Sequence, residues 1–122
     1  MTDTLAPDSV LAEHIAAVNA FDEDAIVATF AADALVNDAR REFWGMEAIR
    51  RWVAREMVGD KVTLQVIEVL DHYGDTVVRA KYDGEYDKAN LPSGDLIMTN
   101  YFTVRDGKII TLIVIRNTPV TY

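Results

Sequence analysis

Cysteine is absent from this 122-residue chain, which excludes a disulfide framework, a thiolate metal site and a cysteine nucleophile. Histidine occurs only at His14 and His72, and His72 falls in a turn, so neither has a second ligand spaced to help it hold a metal. The only serines are Ser9 and Ser93, both in turn-like contexts and neither within a Gly-x-Ser-x-Gly elbow. There is no phosphate-cradling glycine loop and no dinucleotide fingerprint, so no cofactor is expected. Long apolar runs are missing too. The longest, Ile109 to Ile115, is strand-length and far short of the roughly 18 residues of a spanning helix. Asp3, Asp8 and Glu13 crowd the N-terminus, which does not read as a signal peptide, and a cytoplasmic protein is the expectation. Basic residues are few: 12 against 20 acidic, for a net charge of -8. That balance argues against nucleic acid or an anionic membrane as partner. Arg40, Arg41, Arg50, Arg51 and Arg55 do cluster, and they read as the solvated face of a helix and its lead-in.

What is present describes one globular domain spanning residues 1–122, 50% hydrophobic and 26% charged. Pro7-Asp8-Ser9 suits the first turn of a helix, because Asp and Ser cap free N–H groups. Leu11, Ile15 and Val18 follow at helical spacing and define a buried stripe. Asp22, Glu23 and Asp24 open a second helix, where negative charge meets the dipole favourably, with Ile26, Thr29 and Phe30 on its inner face. A strand of about five residues, Ala34 to Asp38, comes next. A third helix starts after Gly45 with Met46, Ile49, Trp52, Val53 and Met57 on one side.

From Lys61 the period changes to two. Val62, Leu64 and Val66 face one way, then Ile67 and Val69 take over the apolar phase. Such a switch inside one strand predicts a β-bulge, the device that bends long strands. Gly74-Asp75 is read as a turn. Val78, Ala80, Tyr82, Gly84 and Tyr86 then face inward, with Arg79, Lys81, Asp83 and Glu85 toward water. Residues 90–94 read as a loop, 95–105 as a strand, and Asp106-Gly107 as a hairpin turn. The final strand, Lys108 to Asn117, is apolar on both faces. Ile109, Ile113 and Ile115 would expose a stripe opposite Leu112 and Val114, which predicts a homodimer through the outer sheet face. Three helices followed by long curved antiparallel strands is an α+β layout whose sheet wraps the helices and leaves a concave interior. Trp52, Phe30, Tyr82 and Phe102 are expected to line it.

Four polar residues interrupt apolar faces. His14 lies three residues after Leu11 and four before Val18, on the buried side of the first helix. It is either a satisfied core residue or a hydrogen-bonding group able to titrate near neutrality. Asp38 ends a strand on the face of Ala34 and Val36. It either caps the loop at Ala39-Arg40, pairing with Arg40 or Arg41, or points into an apolar cavity. In a cavity its pKa would rise toward the range of a general base. Asn100 sits amid Leu96, Met98, Phe102 and Val104, where an unpaired amide costs on the order of 1–3 kcal/mol, so it must have a partner. Arg116, in phase with Ile110, Leu112 and Val114, is a strand-end charge in water or a clamp for a carboxylate at the pocket rim.

The pattern Asp24-Ala25-Ile26, Phe30-Ala31-x-Asp33-Ala34-x-Val36-x-Asp38, Trp44-Gly45-x-x-Ala48-Ile49 resembles the nuclear transport factor 2-like superfamily. That group includes SnoaL-like polyketide cyclases and ketosteroid isomerase. The resemblance implies a cone-shaped curved sheet closed by the helices, a pocket at the wide end, and dimers formed through the sheet. It places Asp38 on the isomerase's general-base aspartate. Asn100 falls on the protonated aspartic acid of its oxyanion hole, and His14 on the oxyanion-hole tyrosine. Both donors therefore differ in this chain. The superfamily's epoxide-hydrolase branch uses an Asp–Arg–Asp arrangement, which Arg79, on a polar face, does not reproduce. The implied reading is a small acid–base enzyme of isomerase, cyclase or dehydratase type. Asp38, His14 and Asn100 would be catalytic, with Arg116, Trp52, Phe30, Tyr82 and Phe102 contacting a small apolar molecule. A non-catalytic small-molecule-binding or protein-interaction module is the alternative, since one fold hosts many activities.

Overall fold

The computed structural model describes residues 9–85 and 96–116. Helix α1 (Val10–Asn19) is capped by the Ser9 side chain, which accepts from the Ala12 N–H. Helix α2 (Glu23–Ala28) is capped likewise by Asp22. Strand β1 (Phe30–Asp38) is nine residues long, starting four residues earlier than its apolar alternation suggested. A short strand β2 (Arg41–Trp44) follows, which local pattern did not disclose, and then helix α3 (Gly45–Trp52). The chain continues without a break into a π-helical segment, Val53–Val58. Strands β3 (Thr63–His72), β4 (Asp75–Asp83), β5 (Leu96–Arg105) and β6 (Lys108–Arg116) complete the described chain. Tyr86 and the loop read at 90–94 lie outside the described residues.

The strands form one curved, unclosed six-stranded sheet in the order β2-β1-β6-β5-β4-β3. The α+β curved-sheet architecture is as expected, with one ladder of a different kind: β1 runs parallel to β6, while every other pair is antiparallel. Strand β1 reaches the sheet from a helix and is joined to β6 only through the rest of the chain, which permits the parallel sense that a tight hairpin forbids. Three irregularities bend the sheet. Ile67 is the extra residue in β3, as the phase switch predicted. Ile110 is extra in β6, and β1 slips register between Phe30 and Leu35. The bulge at Ile110 reverses the phase of β6, so Ile109 is fully buried in the core rather than on the outer stripe.

Among the described residues, three two-residue hairpin loops place both central residues at positive φ, the sign pattern of a type I′ turn: Ala39-Arg40, Tyr73-Gly74 and Asp106-Gly107. The middle turn is therefore Tyr73-Gly74 rather than Gly74-Asp75. The first loop does without glycine and so holds two side-chain-bearing residues in the left-handed region. It leads β1 straight back into β2, which puts Asp38 opposite Arg41.

Helices α1–α3 fill the concave face. Leu11, Ile15, Val18, Ile26, Phe30, Ile49, Trp52, Val53, Tyr82 and Phe102 join one apolar cluster with the inner residues of the sheet. Strand β3 is a sheet edge, and the Asn19 side chain satisfies part of it. Its amide donates to the Leu64 carbonyl at 3.1 Å and accepts from the Leu64 N–H at 2.7 Å, as a neighbouring strand would.

Candidate functional site

Strand register aligns the candidate residues. Asp38 pairs with Val114, Val114 with Asn100, and Asn100 with Val78, so all four share one row on the inner face. Asp38 and Asn100 are two strand spacings apart, about 10 Å. The adjacent row carries Val36, Leu112 and Phe102. Residue His14 packs onto that row from α1, with its ring centroid 5.6 Å from Phe102 and 5.4 Å from Phe30, both edge-on. Three segments distant in sequence are thus placed on two neighbouring rows of one sheet face.

Asp38 is held through a single oxygen. Its Oδ2 accepts from the Trp52 indole N–H at 3.1 Å and from Arg41 Nη2 at 3.2 Å, while Oδ1 has no hydrogen bond among the described residues. Burial pushes the carboxyl's pKa above its ordinary value, outweighing the lowering by the Trp52 N–H and the Arg41 charge; Glu56 raises it further. Arg41 is fixed in turn. It grips Glu56 of the π-helical segment with both Nη atoms, at 2.7 and 2.8 Å, and its Nε donates to the Asp38 carbonyl. The guanidinium also lies 5.5 Å from the Phe43 ring centroid. Outside this cluster is a cleft of about 220 Å³ between β2 and α3, walled by Phe43, Ala48, Trp52, Arg55 and Glu56.

His14 and Asn100 are both buried, each with 2% exposure, and both have partners. The Thr29 hydroxyl gives its single hydrogen to the Ile26 carbonyl at 2.6 Å. At 3.0 Å from His14 Nδ1 it can then only accept, so Nδ1 carries the proton and Nε2 the lone pair. Burial lowers the imidazole's pKa to about 4, so it is neutral at physiological pH. The amide of Asn100 is oriented by the Val78 carbonyl, which accepts from Nδ2 at 3.2 Å and forbids the flipped form. Its Oδ1 therefore accepts from the Tyr82 hydroxyl at 2.7 Å. Burial drives the Tyr82 phenol's pKa upward, and the hydrogen bond to Asn100 opposes this; the Asp38 charge adds to the rise.

Of the residues expected to line a pocket, Trp52, Phe30, Tyr82 and Phe102 are all buried in the apolar core. Arg116 is exposed at the end of β6, opposite Met98 on the inner-face register. Its guanidinium makes no ion pair with Asp38, whose arginine partner is Arg41. Arg79, on the outer face, pairs with Glu68 at 3.3 Å. Of the two arginines offered as partners for Asp38, it is Arg41 that pairs with it. Local pattern missed the roles of Thr29 and Glu56, which lie far from their partners along the chain. Among the described residues no group of three His, Cys, Asp or Glu is placed to hold a metal, and no helix is long and apolar enough to cross a membrane.

Solved structures with the same fold span most of the chain. A candidate polyketide cyclase from Sinorhizobium meliloti is 28% identical with a TM-score of 0.79, over 94% of this chain and all of its own. An epoxide hydrolase/cyclase-like enzyme of pyran ring formation in the polyether salinomycin is 22% identical, with a TM-score of 0.76 over 88% of each chain. A protein from Catenulispora acidiphila with a ketosteroid isomerase-like fold, in complex with trimethylamine, is 21% identical with a TM-score of 0.74, over 91% of this chain and 86% of its own. No curated protein matches. The family model of the SnoaL-like domain matches residues 11–112, and with the row that joins Asp38 to Asn100 across a bent sheet it makes the chain a member of the SnoaL-like domain family.

Proposed function

We propose that this protein is a cofactor-independent acid–base enzyme of isomerase, cyclase or dehydratase type, with Asp38 removing a proton next to a carbonyl of a small, apolar substrate. The observation that carries this reading is the carboxylate of Asp38. It is anchored through Oδ2 by Trp52 and Arg41, its Oδ1 is free among the described residues, and burial raises its pKa. A base needs one oxygen held still, one available, and a pKa nearer neutrality than that of an ordinary aspartate. The second amide hydrogen of Asn100 is the available donor to a developing oxyanion, since the first is given to Val78. His14 keeps its lone pair on Nε2 and stays neutral, so its part is to accept a hydrogen bond rather than to donate to the oxyanion. Trp52, Phe30, Tyr82 and Phe102 supply the apolar wall, and Arg116 the rim. The polyketide cyclase description of the Sinorhizobium meliloti relative supports a ring-forming substrate class.

The internal satisfaction of His14, Asn100 and Tyr82 favours a second reading, a non-catalytic small-molecule-binding module in which these groups only hold the core. Carbon-detected NMR titration of the Asp38 carboxyl separates the two. The catalytic reading expects its midpoint above the ordinary aspartate value of about 3.9. A midpoint at or below that value would leave only the binding module.

The outer face is proposed to be a homodimer interface. Ile113 and Tyr101 are register partners there, with Val77 next across the sheet; Tyr101 is 39% and Ile115 49% exposed, and Trp44 on β2 is 63% exposed. Sedimentation velocity at micromolar concentration is expected to give a species of twice the chain mass, and Tyr101→Glu to return it to a monomer. A wild-type monomer at that concentration would discard the interface.

A further inference from the structure

We propose that Arg41 is a positioning residue for Asp38 and that Glu56 holds it in place, so that β2 and the π-helical segment together set which carboxylate oxygen is free and how basic it is. This deepens the acid–base reading above and rests on it. The geometry is that of a relay of three charged groups. Arg41 enters β2 immediately after the Ala39-Arg40 turn, and register places it opposite Asp38. One nitrogen, Nη2, contacts Asp38 Oδ2 at 3.2 Å and Glu56 Oε1 at 2.7 Å, while Nη1 closes the fork on Glu56 Oε2 at 2.8 Å. The shorter, two-pronged contact is to Glu56, so the guanidinium is anchored to the helical layer and only touches Asp38 from the side.

That anchoring has two consequences for the carboxylate. Both donors to Asp38, Arg41 and the Trp52 indole, converge on Oδ2, which leaves Oδ1 as the oxygen that can take a proton. The positive charge of Arg41 is shared with Glu56, so the cluster of Asp38, Arg41 and Glu56 carries one net negative charge when all are ionised. An arginine free to form a fork with Asp38 alone would make it a weak base. Glu56 draws that fork away. The charged and titratable groups facing Asp38 are Arg41 of β2 and Glu56 of the π-helical segment, with Tyr82 of β4 farther off; Arg116 of β6 lies two residues beyond Val114, its register partner. A purely structural ion pair at this exposed position would contribute little to stability. Here its geometry bears on the chemistry of a neighbour instead.

The test is the Asp38 carboxyl titration in three forms of the protein. Arg41→Gln is expected to move the Asp38 midpoint upward, because a lowering charge is lost. Glu56→Gln is expected to move it downward, because repulsion is removed and Arg41 is released onto Asp38. Arg41→Lys keeps the charge without the fork and is expected to fall between Arg41→Gln and wild type, and it serves if Arg41→Gln does not fold. Displacements of opposite sign support the relay. Displacements of the same sign, or none in either variant, overturn it. The wild-type midpoint judges the acid–base reading separately: an unshifted wild-type Asp38 with opposed variant shifts would sink that reading and leave the relay standing.

Discussion

Replacing Asp38 by asparagine is expected to lower kcat by roughly 10²–10⁴-fold on any substrate the protein turns over, the usual contribution of a positioned general base. The fold should survive the change. Asparagine has the shape of aspartate, and its amide oxygen can still accept from the Trp52 indole, 3.1 Å away in the native site. Arg41 keeps its two-pronged partner Glu56. Burial already disfavours the charged form of Asp38, so a neutral isostere gives up little folding energy. Single-turnover kinetics on a substrate identified by screening, run beside thermal melting of both forms, measures the two halves of this expectation. Undiminished turnover with a well-folded Asp38→Asn variant would remove Asp38 from the chemistry. Retained ligand binding with turnover lost is the expected pattern, because the change leaves the proposed wall of Trp52, Phe30, Tyr82 and Phe102 untouched.

Acid should destabilise the protein through His14, and the sign follows from its burial. The imidazole titrates at about 4 in the folded chain against 6.5 in the open one. Between those two values the unfolded state binds more protons, so stability falls as the pH drops through that window. The difference corresponds to about 3 kcal/mol, fully lost only below the folded pKa. Asp38 acts oppositely. Its raised pKa means the folded chain holds an extra proton above 3.8, a contribution that favours folding as the pH falls. Urea unfolding at pH 7, 5.5 and 4.5 should therefore show a steep decline for the native chain. It should be shallower in His14→Gln, whose amide can still donate to Thr29 but does not titrate. Equal declines in the two proteins would mean that His14 is not the group responsible. His14→Ala is expected to lose stability at every pH, since it opens a hole between Phe30 and Phe102.

Much of the architecture was legible because it is written in short-range periodicity. The helical stripe through Leu11, Ile15 and Val18 placed His14 inside without reference to anything else. Alternation along Leu96, Met98 and Phe102 did the same for Asn100, and both are buried. The bulge in β3 was readable because its phase switch lies within one strand. The reversal at Ile110 was not, because β6 is apolar on both faces and a shift of phase leaves no mark in such a run. Strand β2 escaped notice for a related reason. Its four residues, Arg41–Trp44, show no clean alternation, and their pairing depends on a turn made without glycine.

The sequence by itself determined the helix-then-strand order, the inward-facing residues and the position of one acidic residue at the end of a strand, since each depends on neighbours a few residues away. Only the tertiary structure decided what those residues do. Thr29 settles the proton on His14 from 15 residues away, Tyr82 and Val78 orient Asn100 from 18 and 22, and Trp52 selects an oxygen of Asp38 from 14. The parallel ladder between β1 and β6 brings Asp38 and Asn100 onto one row although whole elements separate them in the chain. Hydrogen-bond partners and charge environments act through space at a few ångströms, and a chain folded back on itself sets those distances without regard to separation along it.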